Sequence, residues 1–466
     1  MTHRTPRHLL LLPAAALVVA CGGGGGGGTP APATPVSVTV SPTTPALATD
    51  GTQAFNATVT GSSNTGVTWT IQEGAAGGTI SPSGAYTAPA VVANGTGTFH
   101  IVATSQADPS KTATATVTVT APALTAWTAL PPMGQPRYGH TATLLPDGKV
   151  LVAGGAGDTP QAPATATAEI FNPATGTFTP TGSMSTIRAF HTAVLLPNGK
   201  VLISGGGING FNPGTKKSQE LYDPATETFT ATGDMVSARS SHASVLLPNG
   251  KVLHVGSAGT AAELYDPATG QCASTGAMSQ ARWREWTNAV LLTSGKVLVV
   301  GGTEVSGIPN PTHIAEVYDP AAGTFSNSGA LQANRALFQA QALPDGKAAV
   351  LNGSVYVGNQ GTGSKTAEVW DPATGQFTTN AGTQARAGFF WCPSVMRADG
   401  VPMLGSGSSP TLLDTFSATL SAYAPAPTLP TGVPYFAAMV RLKGGKILIC
   451  GGGAGGSAST GAFLLQ

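Results

Sequence analysis

The sequence predicts an all-β protein, a small β-sandwich followed by a seven-bladed β-propeller, with no segment of helical period in its 466 residues. Three observations carry that prediction. With 62 glycines, 36 prolines and only 9% charged residues, the chain is broken into short apolar or alternating runs that suit strands and tight turns. The stretch from Met184 to Phe229 recurs after Thr125 with a period of about 50 residues, which marks a repeat architecture. The segment before the first full copy matches the piece missing from the last, so the two ends can complete one ring.

Residues 1–20 read as a secretory signal: His3, Arg4, Arg7 and His8 precede an apolar run from Leu9 to Ala20 that is too short to span a membrane as a stable helix. The run ends Val18-Val19-Ala20-Cys21, which looks like a lipobox with Cys21 as the lipidated residue; ordinary cleavage near Ala20 is the alternative. Residues 21–35 form a glycine-rich, then proline-rich tether. Residues 36–121 turn to Thr, Val, Ser and Ala in strict alternation, as in Val36-Ser37-Val38-Thr39-Val40. Half-buried strands are expected near 36–40, 52–60, 67–71, 78–81, 85–87, 97–104 and 112–120, around Trp69 as the core aromatic. The pieces V-T-W-T and S-G-A-Y-T-A-P resemble bacterial Ig-like domains, here without a disulfide pair.

Residues 122–466 carry the repeat. In its second copy, Thr192–Leu196 meets Val201–Ile203 across Pro197-Asn198-Gly199, a tight hairpin that recurs as L-P-x-G-K ending at Lys149, Lys200, Lys251 and Lys347. Variants end at Lys296 and Lys446, and a degenerate copy spans Asp399 to Val401. A double glycine closes the second strand at Gly154-Gly155, Gly205-Gly206, Gly301-Gly302 and Gly451-Gly452, where close backbone approach or positive φ is expected. The third strand carries a glutamate and an aromatic, and Asp-Pro-Ala-Thr-Gly turns into a fourth opened by Phe178, Phe229, Phe325 or Phe377. Such a four-stranded unit cannot bury both faces alone, so the units must stack radially. Trp127 lies six residues before Met133, as Phe178 lies six before Met184, and so reads as the missing fourth strand of the last blade.

The double glycines and spaced aromatics resemble kelch repeats, specifically the bacterial kind similar to the central domain of galactose oxidase, over roughly 123–466. That family's copper site implies a Tyr-His pair late in the propeller, a further His in a following domain and a Cys–Tyr thioether. No Tyr-His dipeptide occurs here and His313 is the last histidine, so no copper, other metal, cofactor or catalytic residue is expected from the resemblance.

An arginine opens the first strand of six repeats (Arg137, Arg188, Arg239, Arg282, Arg335, Arg386), and a glutamate opens the third strand of five (Glu169, Glu220, Glu263, Glu316, Glu368). Hydrogen-bonded pairs that lock the blades are expected, a ligand-binding arginine ring being the alternative. His140, His191 and His242 follow three of these arginines; with Thr287, Phe338, Phe389 and Ala437 at the same place elsewhere, they read as packing positions, a shared metal being the alternative. Cys272, Cys392 and Cys450 read as small buried hydrophobes, or as one Cys392–Cys450 bridge and a free thiol.

The repeat breaks at Arg282-Trp283-Arg284-Glu285-Trp286 and at Gly388-Phe389-Phe390-Trp391, both at the mouth of the central channel. Trp283, Arg284, Trp286, Phe390 and Trp391 are therefore the candidate ligand contacts, with channel-plugging core as the alternative. The long, variable connections after the double glycines share that face. The sequence thus points to a monomeric, lipid-anchored protein of the cell envelope, at the outer membrane or cell surface, binding a glycan or protein. A net charge of +1 gives no reason for a nucleic-acid partner. The alternative is a carbohydrate-active propeller enzyme, a hydrolase, lyase or oxidase working in the same mouth, although neither paired carboxylates nor a Ser-His-Asp set is visible.

Overall fold

The computed structural model describes residues 34–157, 163–208, 214–303, 312–357, 360–388, 393–405, 413–417, 422–430, 436–454 and 457–466, with backbone alone at 284–286, 356, 357, 360, 361, 381–388, 422, 454 and 457. Cys21 lies outside them. The protein is all-β: the described residues contain strands and three short 3-10 turns, and no α-helix.

The N-terminal residues build three sheets on one core. Ser37–Ser41 pairs with Asn56–Thr60; Ala46–Ala48, Thr112–Thr120, Thr96–Ser105 and Val67–Ile71 form the largest sheet; Thr52–Ala54, Ala85–Thr87 and Thr79–Ile80 form the third. The run expected at 52–60 is split at Phe55, whose amide donates to the Gly84 carbonyl at 2.8 Å, so its halves join different sheets. Ala46–Ala48 is a strand that the alternation did not mark, paired in parallel with Thr118–Thr120. Phe55 and Tyr86, each 1% exposed, fill the centre, and Trp69 packs on Phe55 from the half-buried edge with ring centroids 6.2 Å apart. The core aromatic expected at Trp69 is therefore shared out, because alternation marks an inward face without ranking depth along it.

Sheet after sheet then follows in chain order, as a β-propeller. The first holds Thr141–Leu144, Val150–Ala153, Ala168–Asn172 and Thr177–Pro180, each antiparallel to the one before. Second strands such as Val150–Ala153, Val201–Ser204 and Ile447–Cys450 are buried at every residue, because sheets cover both of their faces. The innermost strands pack in sequence: Thr141–Leu144 on Thr192–Leu195, then Ala243–Leu246, Trp283–Leu291, Gln339–Ala342, Ser394–Met396 and Ala438–Arg441, which returns to Thr141–Leu144. In the fifth sheet, the connection after the second strand forms strands of its own: Ser354–Val357 pairs with the start of Gln360–Asp371 and with Arg335–Ala336. The last sheet takes its outer strand from the chain's beginning, with Trp127 opposite Leu465 and the indole Nε1 donating to the Pro427 carbonyl at 2.9 Å. No open edge is left at that junction.

The N-terminal sheets rest on the propeller's tight-turn face, at the hairpins of its last two sheets. The Val92 amide donates to the Ala398 carbonyl at 2.8 Å, Arg441 Nη1 to the Ala90 carbonyl at 2.6 Å, and the Gly444 amide to Asp50 Oδ2 at 3.1 Å. Ala121, just before the connecting segment, donates to Gly95 at 2.9 Å, which holds that segment to the N-terminal core.

Candidate functional site

The loop-rich face is organised from below by buried charge. Arg137, Arg188, Arg239, Arg282 and Arg335 are at most 1% exposed and face Glu169, Glu220, Glu263, Glu316 and Glu368 at 2.8–3.0 Å. Each pair ties three chain segments together. Arg188 Nη1 donates to the Gly205 carbonyl at 2.8 Å, where the second strand ends, while Glu220 accepts the Ser185 amide at 2.7 Å, in the crossing from the previous sheet. The same pattern joins Arg137 to Gly154 and Glu169 to Gly134. Burial lowers the guanidinium pKa of Arg239, Arg282 and Arg335 against the raising effect of their glutamates. Burial likewise pushes the Glu220 carboxyl up, but the Ser185 amide and Arg188 outweigh it and hold the group below its usual range. At 1% exposure or less these arginines present no surface to solvent, although Nε of Arg188, Arg282 and Arg335 has no hydrogen-bond partner; they are clamps.

The histidines complete the clamp sideways. His191 Nε2 lies 3.0 Å from Thr141 Oγ1, His242 Nε2 3.2 Å from Thr192 Oγ1, and His140 Nε2 3.7 Å from Cys450 Sγ, each reaching the preceding sheet of the ring. Burial first, then the adjacent arginine, pushes His140 and His191 down to about 3, so these rings stay neutral in the folded protein. Burial also raises the Cys450 thiol to about 12, and Cys272 and Cys450 are both free; Cys392 lies outside the described residues. The double glycines exist for these rings. A side chain at Gly154 (φ +64°) would meet Arg188 O at 2.6 Å and His191 Cε1 at 2.7 Å, and one at Gly155 would meet the His140 Cβ at 2.9 Å. Among the described residues, no group of three or more His, Cys, Asp or Glu is placed to hold a metal ion.

Above the clamps, the residue before the histidine place takes a left-handed backbone in five sheets: Gly139 (φ 62°), Phe190 (55°), Ser241 (54°), Leu337 (62°) and Phe436 (60°). The Phe190 amide donates to Gly139 at 2.8 Å and the Ser241 amide to Phe190 at 2.9 Å, so successive sheets are linked around the axis. For phenylalanine that backbone costs of order 1 kcal/mol. It turns Phe190 and Phe436 together with Tyr138 into a cluster with ring centroids 5.2–6.0 Å apart. Sequence reading missed this cluster; the signal available was a phenylalanine directly before the histidine place in the second and seventh copies, at Phe190 and Phe436, with Tyr138 two residues before His140.

Trp283 opens the innermost strand of the fourth sheet, 41% exposed, with its indole over Gly259 of the third. Arg284 and Trp286 follow it on that strand, their side chains outside the described residues, as are Phe390 and Trp391 entirely. Thr287 then takes the histidine place against Gly256 and Gly302. Three further exposed aliphatic residues were not singled out by the sequence: Ile187 and Val236 at the openings of the second and third sheets, and Ile208 after a double glycine. The signal for the first two was an apolar residue inside an otherwise polar crossing.

No family model matches the chain. Two galactose oxidase sequences of Gibberella zeae are each 35% identical to it over 118 residues, which is 23% of this chain and 17% of theirs. Among solved structures, one described as a novel fungal alcohol oxidase with catalytic diversity among the AA5 family, in complex with copper, superposes with a TM-score of 0.59 at 15% identity, covering 74% of this chain and 76% of that one. The structure of YjhT covers 72% of this chain and 95% of its own at a TM-score of 0.45 and 13% identity. The likeness to the fungal alcohol oxidase supports the β-propeller fold, and the galactose oxidase likeness covers 118 residues of the chain. Each of the three clamp histidines turns Nε2 to a neighbouring sheet, and its buried Nδ1 has no hydrogen-bond partner.

Proposed function

We propose that the chain is an exported, lipid-anchored protein of the cell envelope, whose seven-bladed kelch-type propeller stands on an Ig-like sandwich and binds a glycan or protein through its loop-rich face. The observation that carries this reading is the placement of exposed apolar side chains. Of five large ones among the described residues, Ile187, Val236 and Trp283 lie at the strand openings and Ile208 in a connection after a double glycine, on the loop-rich face of the second to fourth sheets, while Leu291 lies at the hairpin end of its strand. Exposed apolar side chains on one loop-rich face of a rigid scaffold suit recognition of a partner. The five arginine–glutamate clamps hold the strand openings that present them.

The test is a glycan and protein array probed with the chain from Val36 onward. Trp283→Ala with Val236→Asp should abolish capture at unchanged melting temperature, and Asn198→Ala on the hairpin face should leave it intact. Loss at Asn198 with retention in the double variant would place binding on the other face and refute the reading. For the anchor, labelled palmitate should enter the wild-type chain and not Cys21→Ala; absence of label from the wild type ends the lipoprotein part.

The likeness to galactose oxidase and to the fungal alcohol oxidase favours a second reading, a carbohydrate-active oxidase using the same mouth. Oxygen uptake with galactose or a primary alcohol in the presence of added copper would support it over binding alone.

A further inference from the structure

A cleft of about 570 Å³ lies on the opposite face, where the N-terminal sheets meet the fifth and sixth sheets of the propeller. Ala93 and Asn94 form one wall, the hairpins at Asp345 and Asp399 two others, and Val369, Asn380 and Phe416 the floor. We propose that this cleft is a binding site for a small neutral polyhydroxy ligand, a mono- or disaccharide, held by both parts of the chain at once.

Two observations point to a ligand of that chemistry. Asn380 is 9% exposed and its amide Nδ2 has no hydrogen-bond partner, although the side chain lines the cleft. An unpaired buried donor is costly, and a hydroxyl oxygen in the cleft satisfies it. Two of the three charged side chains lining the cleft are in ion pairs, Lys347 with Asp371 at 3.2 Å and Asp399 with Arg397 at 2.6 Å, and the third, Asp345, accepts the Lys347 amide at 3.1 Å. A net ionic ligand therefore finds no uncompensated cluster of opposite sign, whereas the carboxylate oxygens of Asp345 and Asp399 remain able to accept from hydroxyl groups. The volume falls in the range of small-molecule sites and suits one or two sugar rings. Asn94, with a left-handed φ of 58°, brings the N-terminal sheets to the rim, so an occupied cleft also strengthens their docking.

Saturation-transfer NMR and calorimetry on the full chain, with glucose, galactose, mannose, N-acetylglucosamine and inositol as probes, test the proposal. At least one probe should bind with a Kd of about 1 mM or tighter. Asn380→Leu removes the donor while keeping the shape; it should weaken binding about tenfold or more and leave the melting temperature equal or higher, because an unpaired amide is replaced by an apolar isostere. Trp283→Ala, on the far face, should leave this binding unchanged, which separates the cleft from the mouth. The proposal is overturned if none of the probes binds, if Asn380→Leu binds as the wild type does, or if binding disappears in Trp283→Ala instead.

Discussion

The first five sheets of the propeller and the last two differ in the contacts that their described residues make. Each of the five closes its crossing with a buried arginine–glutamate pair. In the sixth, Asp414 stands in the glutamate's place and burial raises its carboxyl; in the seventh, the residue facing the second strand there is Phe463, opposite Ile449. It is the hairpins of these two sheets, at Ala398 and Gly444, on which the N-terminal sheets rest. Among the described residues, the inner clamps lie in the first five sheets and the outer brace lies on the last two; the side chain of Arg386, the arginine expected to open the sixth, is outside those residues.

Breaking a clamp should have the largest effect. Arg188→Ala strands Glu220 in a site where both side chains are at most 2% exposed, and a loss of about 3–5 kcal/mol is expected in denaturant unfolding. A loss under about 0.5 kcal/mol would show that the pair is not the clamp. On the braced side, Trp127→Ala removes an indole 8% exposed from the closing strand, at a cost of about 3 kcal/mol, and should loosen the seventh sheet ahead of the second. Uniform hydrogen-exchange protection across both sheets in that variant would erase the distinction.

The histidines sharpen the comparison through pH. In the unfolded chain these rings titrate near their ordinary 6.5, whereas His140 and His191 are held at about 3 when folded. The unfolded state then binds the extra proton, so their stabilisation is complete above about pH 6.5 and is lost as pH falls toward 3, at about 1.4 kcal/mol per pH unit for each ring. His191→Phe copies Phe338 of the fifth sheet and should flatten the slope between pH 6 and 4 by about one ring's share. An unchanged slope would mean that the imidazole is not the buried titrating group. The smallest effect belongs to the brace itself. Arg441→Ala removes a contact to Asp50 that is about one-fifth exposed, costing roughly 0.5–1 kcal/mol, yet it should speed proteolysis between 121 and 124. Equal proteolysis rates would leave Arg441 no part in docking.

The periodic turns, double glycines and paired aromatics made the sheets legible, because strand pairing and tight turns depend on residues near one another in the chain. The Arg–Glu partnership was legible too, since both members recur at one spacing. Closure through Trp127 followed from matching two distant fragments of one pattern. The split of the strand at Phe55 was not legible, nor was the left-handed turn that gathers Tyr138, Phe190 and Phe436. Each depends on partners in other sheets. Repetition in the sequence determined what each sheet is and which residues clamp it. The tertiary structure alone decided where non-equivalent pieces meet: the N-terminal sheets seated on the propeller's last two, and the cleft that Asn380 lines. Contacts between pieces that do not repeat leave no period to read, and their energies are settled only when the folded surfaces are brought together.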